Sequence, residues 1–408
     1  FMNQVPSVER EPAAVELRRV KIVFAALYFF FMLARAVFGP FITLYLEEKG
    51  LSPEQIGLIT GINSFIIIIS QPVWGIVADR IRSMKKTLIL CMICQAVFAL
   101  SLLFANEIFL IAIAFMIYTS FSSSEGPLMD TWALTSLKNA GDPNGMGRVK
   151  MWGCIGFSVS SVVSGVFISR YSTGAIIPIF SGLLLAIALV LLFVKTGSAP
   201  AKAVTLKEMQ IGRVFRDKKF LIFLCYVFFM QLAHRGSFTF YPLLIKQLGG
   251  DTSLVGYASA LMFVSEAVIM FLSKRMLKKT KPEILVMISS FAFVLWHFFF
   301  SICQTPGQVV LACLMDGPSF ALFTIGTLYY MDSIAPPDIR TTYQTVAYSI
   351  YFGLSGIVGN MASGWLIENL GYRPMYWIGM TVTLTSTIVF FFVRRVAGAK
   401  AAGATLEK

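Results

Sequence analysis

Apolar runs of about 20 residues recur twelve times along this chain. They cover residues 22–46, 54–78, 86–105, 108–137, 147–169, 174–195, 219–247, 253–273, 283–304, 307–333, 340–367 and 374–394. A helix of about 20 apolar residues is long enough to cross the hydrocarbon core of a bilayer. Only 13% of the residues are charged, against about 25% in soluble domains. The sequence therefore predicts an all-α membrane protein with twelve transmembrane helices.

Basic residues are concentrated in alternate loops between these runs. The clusters are Arg18, Arg19 and Lys21; Arg80, Arg82, Lys85 and Lys86; Lys274, Arg275, Lys278, Lys279 and Lys281; and Arg394 and Arg395. Excess Lys and Arg marks the cytoplasmic loops of membrane proteins. We therefore expect a multi-pass protein of a bacterial-type plasma (inner) membrane, with both termini cytoplasmic. The same distribution explains the net charge of +13 without a nucleic-acid partner.

The longest polar interval, residues 196–218, separates six apolar runs from six. It predicts an N-terminal six-helix bundle (1–195), a cytoplasmic linker (196–218) and a C-terminal six-helix bundle (219–408). Internal repetition supports two halves, since Glu125-Gly126-Pro127 recurs as Asp316-Gly317-Pro318. Parallel repeats imply a pseudo-two-fold axis along the membrane normal, with a solute site at mid-depth between the halves.

A charged motif follows the second apolar run. Residues 75–86 read GIVADRIRSMKK and resemble the G-x-x-x-D-R-x-G-R-[KR] loop of the major facilitator superfamily, with Arg82 and Ser83 in place of the Gly-Arg. An acid at this helix end can pair with bases or cap a facing helix. We expect a conformational latch there, together with two arginines at the start of the fifth and eleventh runs. Its residues are Gly75, Asp79, Arg80, Arg148 and Arg340.

Residues 147–157, GRVKMWGCIGF, resemble the fifth helix of lactose permease and its oligosaccharide:proton symporter relatives. Pro127-Leu128-Met129-Asp130 resembles the Pro-x-x-Glu of that family's fourth helix. The resemblance implies that Asp130 and Lys150 bind the solute and that Phe157 occupies the position of the ring that stacks on a sugar. This chain has Asp for Glu, Lys for Arg and Phe for Trp at these positions.

Other segments resemble the phenylpropionate-permease-like and nucleoside:proton symporters. They include Pro40-Phe41, Ser265-Glu266 and the run 314–320. That branch commonly carries a histidine near the position of Asp316, and this sequence has none there. The resemblance implies coupling to protons more specifically than it implies a cargo.

Three further carboxyl groups, Glu125, Glu266 and Asp316, lie deep within apolar runs, where an ionisable side chain is costly and indicates function. Glu266 has no basic neighbour at helical spacing, so it faces a cavity or holds a proton. Glu125 and Asp316 adjoin prolines at corresponding points of the two halves, where a proline bends the helix. We predict proton coupling for all three. The alternatives are a static salt bridge for Glu266 and a structural contact between the fourth and tenth helices.

Cations also occur at bilayer depth. Arg35 in the first run and His234-Arg235 in the seventh occupy corresponding positions. They can neutralise the intramembrane acids or bind an anionic solute, so we count them with the solute-binding residues. Arg148 and Lys150 are separated by about 200° around a helix, which favours Lys150 in the cavity and Arg148 at the cytoplasmic rim.

Enzymatic chemistry is not predicted. The six cysteines all lie within apolar runs, and no metal spacing, nucleophile–base pair or phosphate loop occurs. We expect no cofactor beyond the proton gradient, and a monomer in the lipid bilayer. The predicted function is proton-coupled symport, by alternating access, of a small polar organic solute, first a saccharide or glycoside. The alternatives are a nucleoside or aromatic acid, then a proton-driven multidrug exporter, whose usual helix 5 proline is missing.

Overall fold

The computed structural model describes residues 13–142, 145–194, 211–336 and 340–406. Within these ranges, twelve helices are long and apolar enough to cross a membrane. They are α1 (Ala14–Glu48), α2 (Pro53–Ala78), α3 (Met84–Phe104), α4 (Ile108–Asn139), α5 (Met146–Arg170), α6 (Thr173–Phe193), α7 (Lys218–Gln247), α8 (Thr252–Ser273), α9 (Pro282–Ile302), α10 (Pro306–Ile334), α11 (Tyr343–Leu370) and α12 (Tyr372–Val393). Each predicted apolar run falls on one of them, so the prediction of twelve transmembrane helices is confirmed.

Side-chain caps begin several of these helices. Ser83 accepts a hydrogen bond from the Lys86 amide at the start of α3, and Asp251 accepts one from Leu254 at the start of α8. Thr305 and Gln308 form a reciprocal capping box at the start of α10. Such caps satisfy backbone amides that have no partner within the helix. They therefore fix the residue at which each helix begins.

The helices have two ends that differ in charge. We call the end that carries Arg80, Lys85, Lys86, Lys278 and Lys279 the basic end, and the other the far end. At the far end, α1 and α7 each end in a turn of the same conformation. Gly50 and Gly249 have φ values of 87° and 86°, a left-handed conformation that favours glycine. The shared turn supports the repeat of six helices that the sequence predicts.

The two halves touch through α5 on α8 and α2 on α11, and glycines make the closest approaches. A Cβ added at Gly165 would lie 3.0 Å from the Gly256 Cα, and one added at Gly57 would lie 3.0 Å from the Gly364 Cα. Small residues let helix backbones approach closely within a membrane. All four glycines lie toward the far end, so the structure is closed there.

Helix α10 is interrupted and α4 is not. A 3₁₀ turn, Cys313–Met315, directly precedes Asp316, whereas the fourth helix runs unbroken through Pro127. The neighbouring glycines differ as well. A Cβ at Gly317 would lie 2.1 Å from the Met262 carbonyl oxygen of α8, but one at Gly126 would meet nothing within 4 Å. The repeated Gly-Pro therefore accompanies a break in the helix only in the second half.

Candidate functional site

A cavity of about 390 Å³ lies between the two halves. Helices α1, α2, α4 and α5 line it from the first half, and α7 and α8 from the second. Aromatic rings dominate the lining: Phe38, Tyr118, Phe157, Phe238, Tyr241 and Phe263. Arg35 contributes the charge among the described lining residues. Such a mostly apolar pocket with few polar groups is the usual form of a small-molecule site.

Most hydroxyl groups of this cavity already donate hydrogen bonds within the protein. Thr60 donates to the Ile56 carbonyl oxygen at 2.8 Å, and Thr239 donates to the Asn360 side chain at 2.8 Å. Ser259 donates to the Val255 carbonyl oxygen, which leaves its oxygen to accept from the Tyr241 hydroxyl at 2.7 Å. Because each hydroxyl carries one proton, few donors remain for a solute.

Arg35 on α1 and Glu125 on α4 form an ion pair beside the cavity. The Arg35 Nη1 lies 3.8 Å from the Glu125 Oε2, and the Glu125 side chain is fully buried while that of Arg35 is 41% exposed. With its amide nitrogen facing Glu125, Gln95 donates to the carboxylate at 2.5 and 2.9 Å and accepts from Tyr118 at 3.2 Å. The amide therefore supports the acid, and the guanidinium remains able to meet a solute.

His234 on α7 and Asp316 on α10 form the corresponding pair in the second half. The His234 Nε2 lies 2.7 Å from the Asp316 Oδ1, and both side chains are buried. No histidine lies near Asp316 in the sequence, but His234 on α7 contacts it in the structure. The structure pairs Arg35 with Glu125 and His234 with Asp316, each within its own half. His234 is not among the cavity-lining residues.

Asp130 on α4 and Lys150 on α5 are brought together, as the resemblance implied. The Lys150 Nζ lies 2.6 Å from the Asp130 Oδ2, and the two side chains are 48% and 42% exposed. Tyr28 donates its hydroxyl proton to the other carboxylate oxygen. Sequence reasoning missed Tyr28, although its spacing of seven residues from Arg35 places both on one face of α1. This cluster lies toward the basic end, outside the cavity lining.

The rings of Phe157 and Phe263 stack between the halves, with centroids 3.7 Å apart. Phe157 lies two helical turns, about 10 Å, along α5 from Lys150. Both rings line the cavity, whereas Asp130 and Lys150 do not. The resemblance predicts that Phe157 stacks on a solute, whereas in this structure it stacks on Phe263 of the other half.

Glu266 and Arg235 have fewer polar contacts than the paired acids. Among the described residues Glu266 has no hydrogen-bond or ion-pair partner, and Asp316 and Lys150 are close enough to influence it electrostatically. A Cβ at Gly317 would lie 2.5 Å from the Glu266 amide nitrogen, so α10 contacts α8 at this level. The Arg235 guanidinium lies 4.3 Å from the Phe352 ring centroid on α11, a cation–π contact.

The predicted latch lies at the basic end. Arg80 and Arg148 are exposed, and a Cβ at Gly75 would meet nothing within 4 Å. The side chains of Asp79 and Arg340 lie outside the described residues, so the latch remains a prediction. Arg82, which stands where the motif has glycine, has a φ of 54°. The substitution therefore keeps the backbone conformation that glycine favours.

Comparison with known families identifies the fold. A sequence model of the MFS_1 like family matches residues 21–378. The chain belongs to that family. It is 22% identical over 377 residues to the maltose permease of Geobacillus stearothermophilus, with 92% of this chain and 95% of the permease covered. It is also 22% identical over 400 residues to the sucrose permease of Escherichia coli, with 93% and 95% covered.

A solved structure has the same fold. A point mutant of the nucleoside transporter NupG matches with a TM-score of 0.80 and 19% identity, over 92% of this chain and 99% of that one. This family member therefore has the twelve-helix fold of a major facilitator transporter, and its relatives are transporters. Among the described residues, no group of three or more His, Cys, Asp and Glu side chains could hold a metal ion.

Proposed function

We propose that this family member is a proton-coupled symporter that imports a small organic solute by alternating access. The observation that carries the proposal is the pair of acid–base contacts, Arg35–Glu125 and His234–Asp316, in which both acids are buried. They occupy corresponding helices on either side of one cavity. Buried ionisable groups in a membrane are retained where they serve a pathway for ions or solutes. The basic end would face the cytoplasm of a bacterial-type inner membrane.

Of the three predicted proton carriers, we place Asp316 first because of its position beside α8. It follows the 3₁₀ turn of α10, and the adjacent Gly317 lies against α8 beside Glu266. Helix α8 in turn packs on α5 of the other half. A proton that moves between Asp316, His234 and Glu266 changes the charge at the α8–α10 contact. Protonation in the second half is thereby linked to the interface between the halves.

The chemistry of the cavity bears on the cargo. Six aromatic rings, one guanidinium and hydroxyls that are mostly engaged within the protein favour a nucleoside or aromatic acid over a saccharide. Sugars need many hydrogen-bond partners, and those left unmade are costly. The names of the maltose and sucrose permeases, and the Asp130–Lys150 pair, support the saccharide. We therefore place an aromatic solute with a hydrogen-bond acceptor for Arg35 first, and a saccharide second.

Uptake into proteoliposomes tests this proposal. The purified protein is reconstituted, an inward proton gradient is imposed, and uptake of radiolabelled uridine, 3-phenylpropionate, sucrose and maltose is followed, with and without a protonophore. We expect at least one solute to accumulate above its external concentration, and the protonophore to abolish that accumulation. Liposomes without protein are the control. Gradient-independent uptake of every solute that enters would refute proton symport.

A further inference from the structure

An ion pair joins the two halves at the far end of the molecule. The Lys246 Nζ, at the end of α7, lies 2.7 Å from the Glu47 Oε2, at the end of α1. Both side chains are partly exposed, at 47% and 35%. Neither residue belongs to the cavity lining or to any of the charged groups discussed above.

The two residues occupy equivalent positions in the internal repeat. The Gly50 amide donates to the Glu47 carbonyl oxygen at 2.9 Å, and the Gly249 amide donates to that of Lys246 at 2.9 Å. In each half the residue after this glycine also donates five residues back, to Leu46 and Ile245. The backbone turns therefore match residue for residue, and Glu47 corresponds to Lys246.

Equivalent positions that also touch each other must lie beside the axis that relates the two halves. Identical charges there would repel, since like charges in contact are destabilising. The chain instead carries one acid and one base, so the contact becomes attractive although the backbone remains symmetric. The pair is thus at the centre of the far-end closure. The Gly57–Gly364 and Gly165–Gly256 crossings add close backbone packing between the same halves.

Neighbouring charges of the same segment do not join the halves. Glu48 accepts a hydrogen bond from Thr173, and Lys49 donates to the Leu103 carbonyl oxygen and to Asn106. All of these partners belong to the first half. Lys246 also lines a fissure of about 460 Å³ together with Glu48, Tyr171 and Asp251. Water therefore reaches Lys246, in agreement with the partial exposure of both side chains of the pair.

We propose that Glu47 and Lys246 form an electrostatic latch on the pseudo-two-fold axis, which holds the far end closed and separates whenever the cavity opens to that side. An exposed ion pair shifts an equilibrium only modestly, about two- to five-fold. That size suits a contact that is broken in every transport cycle. Because exposed pairs are screened by salt, the open fraction of the far end rises with ionic strength.

Thiol labelling tests the latch without any knowledge of the cargo. Thr43 lines the cavity near the far end and is buried, so Thr43→Cys reports opening to that side. The labelling rate with a membrane-impermeant maleimide is measured in right-side-out vesicles. The parent protein gives the background from the native cysteines. We expect Glu47→Gln and Lys246→Gln each to raise the rate about two- to five-fold in low salt.

The exchanged pair, Glu47→Lys with Lys246→Glu, is expected to restore the slow rate. Salt at about 0.5 M is expected to accelerate labelling of the parent Thr43→Cys protein but not of the single variants. Glu48→Gln and Lys49→Gln are matched controls that remove one negative and one positive charge beside Glu47, and they should label slowly. The latch is refuted if the single variants label as slowly as these controls, or if the exchanged pair labels as fast as the single variants.

Discussion

His234 lies 2.7 Å from Asp316, on the two helices that correspond to those carrying Arg35 and Glu125. The two pairs are equivalent in position but not in chemistry. An arginine keeps its proton in proteins, whereas a histidine exchanges its proton near physiological pH. The second half therefore pairs its acid with a side chain that exists in neutral and charged forms, and the first half pairs its acid with a permanent cation. Under the proposed function, we predict that proton exchange takes place in the second half and that Arg35 contacts the solute.

Neutralising Asp316 is expected to abolish uphill transport. Asp316→Asn keeps the shape of the side chain but cannot take up and release a proton, so gradient-driven accumulation should fall at least about tenfold. Exchange of labelled for unlabelled solute at equal concentrations needs no net proton movement and should continue. Both assays use the same proteoliposomes. Glu107→Gln, an exposed far-end change, serves as the control, and full accumulation by Asp316→Asn would contradict the assignment.

Removing the Arg35 guanidinium is expected to weaken cargo binding. A hydrogen bond to a charged group contributes about 1.5–3 kcal/mol, so Arg35→Gln should raise the apparent KM about ten- to hundredfold. Glu125→Gln is the matched control, because it neutralises the other member of the pair and leaves the guanidinium in the cavity. Concentration-dependent exchange of the solute identified by uptake gives KM for each variant. Equal KM values for Arg35→Gln and the parent would place the solute elsewhere.

Helix number, helix ends and the internal repeat were predictable from sequence because they depend on local composition and on turn glycines such as Gly50 and Gly249. Asp130 and Lys150 were predictable as a pair because adjacent helices joined by a short loop bring them close together. The contact of His234 with Asp316 spans 82 residues of sequence, and that of Phe157 with Phe263 joins the two halves. Periodicity indicates the face on which such residues lie, but their partners depend on how the helices pack.

Arg82 is expected to strain the loop between α2 and α3. Its φ of 54° costs a residue with a Cβ about 1–2 kcal/mol relative to glycine. The greater conformational entropy of glycine in the unfolded chain offsets part of this stabilisation. Arg82→Gly should therefore stabilise the protein by about 0.5–1 kcal/mol and raise its Tm in detergent by about 1–2 °C. Arg82→Ala removes the same charge but retains the Cβ, so a Tm for it that matches Arg82→Gly would show that the backbone conformation is not the cause.

Enlarging Gly256 is expected to stop the transport cycle by preventing far-end closure. A Cβ at this position would lie 2.3 Å from the Ser161 carbonyl oxygen of α5, and backbone atoms in packed helices cannot withdraw that far without separating the halves. Gly256→Val should therefore lose exchange transport, whereas binding from the far side should persist and Thr43→Cys should label rapidly. Gly182→Val on α6 is the matched control, since a Cβ there would meet nothing within 4 Å, and it should transport normally. Normal exchange by Gly256→Val would mean that the α5–α8 crossing does not close the far end.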